Sequence, residues 1–109
     1  MTDTILLVYC SCPDRETAEA IATALVERRL AACVNIGGDS TSVYRWEGRL
    51  ERATETMLSI KSSSRVYPAL ERALVALHPY ELPEIVAVPV QQGLPGYLQW
   101  VEQCLTPES

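Results

Sequence analysis

The sequence predicts one α+β domain whose elements follow the order β-α-β-β-α-β, with a further helix at the end. Short runs rich in β-branched and aromatic residues recur along the chain, and segments with apolar residues at helical spacing lie between them. The 109 residues, of which 48% are hydrophobic, suit one globular fold. We therefore expect a single domain over residues 1–109.

The first strand and the first helix are expected in the N-terminal third. Residues 5–10 form an apolar run typical of a strand that is buried on both faces. Pro13 and Asp14 interrupt this run and suit the start of a helix. Apolar residues then recur at helical spacing, which predicts a helix over about 14–30. Its apolar positions are Ala18, Ile21, Ala22, Leu25 and Val26.

The middle of the chain predicts a long hairpin. The stretch AACVNI opens the second strand and TSVYRW continues it, with a bend or bulge expected at Gly37 and Gly38. Glu47, Gly48 and Arg49 predict a tight reversal, after which TETMLSIKS returns as the third strand. These strands, over about 32–62, are longer than one small sheet needs. Because such a ribbon exposes backbone donors and acceptors, we expect it to pair with another copy of the chain.

The remaining elements complete a ferredoxin-like pattern. A second helix of about three turns ends at His78, because Pro79 disfavours helical geometry in the residue before it. Residues 84–90 predict the fourth strand, in which Pro89 should lie at an edge or a break. A last helix is expected over about 97–105. This order is that of the split βαβ fold, a four-stranded sheet with helices on one face. We expect strands one and four near its edges.

Composition limits the partners and the location. The net charge is −5 and the basic residues are scattered without a stripe, so nucleic acid and anionic membranes are poor partners. The apolar run near the N-terminus is too short for a signal peptide or a membrane span, which predicts a cytoplasmic protein. Cysteines in such a protein are expected as free thiols. They are Cys10, Cys12, Cys33 and Cys104.

Three side chains are candidate metal ligands. His78, the only histidine, can be a ligand or a structural cap at the end of the second helix. Cys10 can supply a soft thiolate or act as a small buried hydrophobe. If the first strand continues, Cys12 shares a face with Cys10. The resulting pair is one residue shorter than the Cys-x-x-Cys loop of copper chaperones with this fold.

Other polar and aromatic residues have simpler interpretations. Cys33 is expected to alternate into the core, and Cys104 to be exposed near the terminus. Glu81 and Glu84 are expected to be solvated or, in an oligomer, to line clefts that attract divalent cations. Packing or interface positions are predicted for Tyr44, Trp46, Tyr80, Tyr97 and Trp100. No nucleophile motif or phosphate-binding glycine loop is present, so we do not expect an enzyme.

Five stretches together resemble the CutA family of divalent-cation tolerance proteins. In chain order they are ERRLAACVNI, TSVYRWEGRLE, MLSIKSS, ALHPYELPEIVAVPV and YLQWV. The resemblance covers about residues 5–101. It implies a ferredoxin-like homotrimer whose long hairpins augment neighbouring sheets, as in PII signalling proteins. It also implies tolerance to copper and other divalent cations, without an established enzymatic activity.

The resemblance further implies two copper ligands. Cys10 matches the family cysteine proposed to bind copper, and His78 matches the histidine paired with it. Leu77 stands where some members have a second histidine, and Cys12 departs from the usual Cys-Thr-x-Pro-like pattern. We expect Cys10 and His78 to meet across a subunit boundary, with Glu81 or water completing the site. The alternative is a PII-like regulatory or scaffolding trimer whose clefts bind a small molecule or a protein, with incidental metal affinity.

Overall fold

The computed structural model describes residues 3–107 and has the element order that the sequence predicts. The strands are β1 (Ile5–Cys12), β2 (Cys33–Trp46), β3 (Arg49–Ser63) and β4 (Ile85–Pro89). The helices are α1 (Arg15–Glu27), α2 (Tyr67–Leu77) and α3 (Pro95–Cys104). Within the described residues, no helix is both long enough and apolar enough to cross a membrane.

The sheet is antiparallel throughout and its strand order is β2-β3-β1-β4. β4 is an edge strand and Pro89 is its last residue, as predicted. β1, however, lies inside the sheet, paired with β3 and with β4. The expectation that β1 lies near an edge is wrong, because each helical crossover joins two strands that are not neighbours in the sheet. β3 lies between β1 and β2, and β1 lies between β3 and β4.

The core lies between the sheet and the helices α1 and α2. Because successive strand residues point to opposite faces, Val8, Cys10 and Cys12 share the face of β1 that these helices cover. All three are fully buried. The other buried members of this core are Ala18, Ile21, Leu25, Ala31, Leu58, Ile60, Leu70, Ala73 and Leu74. β1 therefore continues two residues beyond the predicted end, and this extension carries Cys12 into the core.

Local signals explain where the helices begin and end. The side chain of Asp14 accepts a hydrogen bond of 2.8 Å from the backbone N–H of Thr17, so it caps the N-terminus of α1. α1 ends before the predicted residue 30, since Arg29 adopts a left-handed conformation with φ 58°. α2 ends before Pro79 as predicted, and the backbone N–H of His78 donates to the Leu74 carbonyl.

The β2–β3 hairpin extends well beyond the rest of the sheet. Its two-residue turn has φ 50° at Glu47 and φ 79° at Gly48, as a type I′ turn requires. The strand register shifts between Ile36 and Asp39, which confirms the bulge predicted at the two glycines. β1 pairs with β3 only over residues 56–63. Residues 40–55, called the ribbon from here on, are therefore two-stranded and lengthen the molecule to 44 × 26 × 24 Å.

The N-terminus of the described chain is held by an ionic cluster. The Asp3 carboxylate accepts hydrogen bonds from the Ser64 hydroxyl at 2.7 Å and from the backbone N–H of Arg65 at 2.8 Å. The Arg65 guanidinium also binds Glu102 of α3 at 2.5 Å. Burial alone would raise the pKa of Asp3, but hydrogen bonds with Ser64, Glu102 and Arg65 outweigh burial and lower it from 3.8 to about 2.

This cluster predicts an acid-sensitive contribution to stability. A carboxyl whose pKa is lowered by folding stabilises the protein above its unfolded pKa, and the contribution is lost as pH falls through the folded pKa. We expect the stability advantage of the wild type over Asp3→Asn to shrink by about 2 kcal/mol between pH 5 and pH 2. Urea unfolding across this range measures it. The comparison is repeated in a Glu102→Gln background, because burial raises the pKa of Glu102 and gives the opposite trend. Parallel curves for the wild type and Asp3→Asn would contradict the prediction.

Candidate metal centre

Cys10, Cys12 and His78 form one cluster inside a single chain. Their ligand atoms, the two Sγ atoms and a ring nitrogen, all lie within 4.8 Å of one another. Both cysteines are fully buried, and His78 is only 7% exposed. The expectation that Cys10 and His78 meet across a subunit boundary is wrong for this structure. Because β1 is an interior strand, its C-terminal end lies beside the end of α2, and the two residues meet within one chain.

Two hydrogen bonds fix the ring of His78. The Nδ1 atom lies 3.1 Å from the backbone N–H of Tyr80, which can only donate, so Nδ1 accepts. The Nε2 atom lies 2.7 Å from the Ser11 carbonyl oxygen, so Nε2 carries the proton and donates it. The ring is therefore held in one neutral tautomer and joins the end of α2 to β1. The ring does not bond the last carbonyls of α2, so it does not have the capping role that the sequence left open.

The two thiols of the cluster differ in acidity. A hydrogen bond between them raises the pKa of the Cys10 thiol far above its usual range, and burial adds to this effect. The same hydrogen bond lowers the pKa of Cys12. Cys10 Sγ also lies 3.9 Å from the Ser11 carbonyl oxygen. The thiolate is the form that binds metals, so this pair releases protons when a metal binds.

An acidic groove of about 750 Å³ adjoins the cluster, between the ribbon and residues 79–84. Its lining residues are Ser11, Ser42, Val43, Tyr44, Trp46, Glu55, Pro79, Tyr80, Glu81, Leu82 and Glu84. The Tyr80 hydroxyl donates to Glu55 at 3.2 Å, and the Ser11 hydroxyl donates to Glu84 at 3.3 Å. Burial, helped by Glu55, raises the pKa of Tyr80 to about 12. Ser11 thus links the acidic groove to the cluster, since its carbonyl binds His78.

The structure places the other predicted residues outside the cluster. Glu81 and Glu84 line the acidic groove, and among the described residues the cluster includes no carboxylate. Cys33 is only partly buried and pairs with Lys61, so it lies on the sheet face opposite the core. The expectation that Cys33 points into the core is wrong, because Val34 takes that position. Cys104 is also partly buried, where exposure was predicted.

The sequence alone predicted the complete cluster only weakly. Cys12 was recognisable only through the condition that β1 continues, which the structure fulfils. The backbone groups of Ser11 and Tyr80, which hold the imidazole, have no signature in side-chain identity. Their roles follow from the position of β1 inside the sheet.

Comparison with known proteins gives consistent matches. Residues 6–104 match the family model described as CutA1 divalent ion tolerance protein. The divalent-cation tolerance protein CutA of Thermus thermophilus is 45% identical over 97 residues, which cover 89% of this chain and 94% of that protein. Protein CutA of Mus musculus is 46% identical over 95 residues, or 87% of this chain. The chain spans about half the length of such mammalian relatives, with 54% of the mouse protein covered.

Solved structures agree with the fold. The Cut A1 structure from Thermus thermophilus superposes with a TM-score of 0.92 at 43% identity, covering 94% of this chain and 99% of the other. The CutA1 structure from a psychrotrophic Shewanella species gives a TM-score of 0.93 at 41% identity, covering 95% and 97%. The predicted ferredoxin-like arrangement with a long hairpin is therefore confirmed.

Proposed function

This chain belongs to the CutA1 divalent ion tolerance family, and we propose that it contributes to cation tolerance by binding copper at Cys10 and His78. The observation that carries this proposal is the cluster itself, whose ligand atoms lie within 4.8 Å of one another in one buried place. The family description names ion tolerance and no reaction, which supports a binding role without catalysis. The cytoplasmic location stays a prediction from the sequence.

The chemistry of the two side chains supports copper as the metal. A thiolate and an imidazole are ligands that copper binds well, and copper stands at the top of the affinity series of divalent first-row metals. The net charge of −5 and the carboxylates of the acidic groove attract cations towards the molecule. Because copper binds many thiol–imidazole pairs, the proposal is tested by comparing variants and not by binding alone.

The test is a copper titration of the wild type and of single variants. We expect about one copper per chain in the wild type, and a loss of affinity of at least about tenfold in Cys10→Ser and in His78→Gln. Cys104→Ser is the matched control, because it removes a partly buried thiol outside the cluster. Circular dichroism verifies the fold of each variant. Wild-type affinity in both Cys10→Ser and His78→Gln would place the copper elsewhere and contradict the proposal.

We also propose that the chain assembles as a homotrimer through the ribbon. Among the described residues, the ribbon has no third strand on either side, and the free edge of β2 leaves backbone groups without a strand partner. It also exposes apolar side chains, with Leu50 at 68%. The other exposed apolar residues of the ribbon are Val43, Tyr44 and Trp46. Pairing with a second copy would cover both the edge and these side chains.

The acidic groove favours a second candidate function, that of a PII-like regulatory trimer. A concave site of about 750 Å³ lined by aromatic and charged side chains is large enough for a small molecule. Thermal-shift measurements with metals and nucleotides separate the two candidates, since a ligand that binds the native state raises its apparent stability. Stabilisation by a nucleotide, with none by copper, would favour the regulatory function.

A further inference from the structure

We propose that Cys12 is a third ligand of the cluster and that it makes the site selective for monovalent copper over divalent cations. This inference rests on the proposed metal-binding function and specifies its cargo. Cys12 Sγ lies within 4.8 Å of both Cys10 Sγ and the nearest ring nitrogen of His78. Three soft or borderline donors therefore converge on one place, where the sequence resemblance implied two.

The backbone holds the two thiols in this arrangement. Cys10 pairs with Leu58 on one side of β1 and with Ile85 on the other, and Cys12 pairs with Thr56. As alternate residues of one strand, the two cysteines point to the same face without any loop to arrange them. The thiols are thus held side by side before a metal arrives, which lowers the cost of ordering them on binding.

The number and type of donors favour a monovalent soft ion. Thiolates suit Cu(I) and Zn²⁺, while carboxylate and carbonyl oxygens suit hard divalent ions such as Mg²⁺ and Ca²⁺. The described residues place two sulfurs and one imidazole in the cluster and no carboxylate. Cu(I) is satisfied by two or three ligands, whereas Zn²⁺ in proteins takes four in a tetrahedral arrangement. Both cysteines are fully buried, so the site offers little room for waters that would complete the shell of a divalent ion.

The preference for Cu(I) rests on the type and number of donors and not on charge. Two thiolates leave one net negative charge in the core with Cu(I) and none with a divalent ion, and the neutral imidazole adds no charge. The carboxylates of Glu55, Glu81 and Glu84 lie outside in the acidic groove. They can attract a cation to the entrance without becoming ligands. The buried cluster and the acidic groove therefore have separate roles, which are selection and attraction.

The experiment compares three metals on the wild type and Cys12→Ala. Cu(I) is supplied anaerobically with bicinchoninate as a competing chromophoric chelator, and Zn²⁺ and Cu²⁺ are titrated separately. We expect the wild type to bind Cu(I) more tightly than either divalent ion. Cys12→Ala should lower the Cu(I) affinity at least about tenfold and change the Zn²⁺ affinity much less. Cys33→Ala, which removes a thiol outside the cluster, should behave as the wild type.

X-ray absorption of the Cu(I)-loaded proteins gives an independent readout. We expect two sulfur neighbours and one nitrogen neighbour per copper in the wild type, and one sulfur fewer in Cys12→Ala. If Cys12→Ala keeps the wild-type Cu(I) affinity and sulfur count while Cys10→Ala loses binding, Cys12 is not a ligand and the proposed function still stands. A wild type that binds Zn²⁺ or Cu²⁺ more tightly than Cu(I) would refute the selectivity. A wild type that binds no copper would refute the proposed function as well.

Discussion

Replacing Val43 with proline is expected to convert the proposed trimer into folded monomers. Val43 lies in the ribbon on β2, the edge strand of the sheet, and its side chain is 53% exposed. Within residues 3–107, the backbone groups on the outer side of β2 have no strand partner. A proline there removes a donor that a second copy would use, and its ring obstructs the approach of another strand.

The hairpin geometry shows why this proline should spare the monomer. In a two-residue hairpin the closing pair, here Trp46 and Arg49, exchanges hydrogen bonds. Along an antiparallel hairpin, pairs that exchange hydrogen bonds alternate with pairs that do not. The pair of Val43 with Arg52 is three pairs beyond the closing pair, so it exchanges no hydrogen bonds. The N–H of Val43 therefore points away from β3. Proline at this position removes no hydrogen bond within the ribbon, as is usual for prolines on edge strands.

Sedimentation at low micromolar concentration, together with circular dichroism, measures the outcome. Val43→Ala is the matched control, since it shortens the same side chain but keeps the N–H and should remain assembled. Tyr44→Pro is the opposite control, because Tyr44 lies in a hydrogen-bonded pair and its substitution should disrupt the ribbon itself. A Val43→Pro protein that sediments like the wild type would show that this edge is not used. A wild type that is a folded monomer would refute the trimer.

The same variant links assembly to the metal centre. All three side chains of the cluster come from one chain. A folded Val43→Pro monomer should therefore bind copper with nearly the affinity of the wild type. Loss of binding on dissociation would instead require a ligand from a neighbouring copy, as the sequence-based expectation had it.

Local patterns predicted the elements of this fold well, for physical reasons that lie within each segment. Pro79 ends α2 through its own ring, and the turn at Glu47 and Gly48 needs left-handed backbone that glycine adopts freely. The excess length of β2 and β3 could be counted from the sequence. In each case the signal and its effect lie only a few residues apart.

Local patterns could not predict which strands lie beside β1. The geometry of the site could therefore not be predicted either, because it depends on those neighbours. The distance between Cys10 and His78 depends on β1 lying between β3 and β4. That order is set by how the crossovers pack, which residue spacing does not encode. The hydrogen bond between His78 and Ser11 joins a side chain to a backbone carbonyl across 67 positions of sequence separation. Every residue type has that carbonyl, so the sequence could name the histidine but not its partner.

His78→Ala is expected to destabilise the metal-free protein by about 2–3 kcal/mol, while His78→Gln is expected to retain most of the stability. In the wild type the imidazole donates to the Ser11 carbonyl at 2.7 Å, and Ser11 is only 2% exposed. Alanine leaves this buried acceptor without its partner and opens a cavity beside the end of α2. The amide N–H of glutamine has nearly the same reach as Nε2 and can donate to the same oxygen.

The two substitutions separate the structural role of the imidazole from its role as a ligand. Glutamine keeps the donor but provides no aromatic nitrogen, so His78→Gln should fold nearly as stably as the wild type and still lose copper affinity. Urea unfolding in EDTA gives the stabilities, at one protein concentration because the proposed assembly would contribute to them. A copper titration of the same samples gives the affinities. Equal stability of His78→Ala and the wild type would show that the tie to Ser11 contributes nothing. Tight copper binding by His78→Gln would leave the imidazole with the structural role alone.

In the wild type both roles use the same ring nitrogens, so a metal at either nitrogen must displace the Ser11 carbonyl or the Tyr80 N–H. Copper binding should therefore loosen the junction between α2 and residues 79–84, which is measurable as faster amide exchange at Tyr80 in the copper-loaded protein.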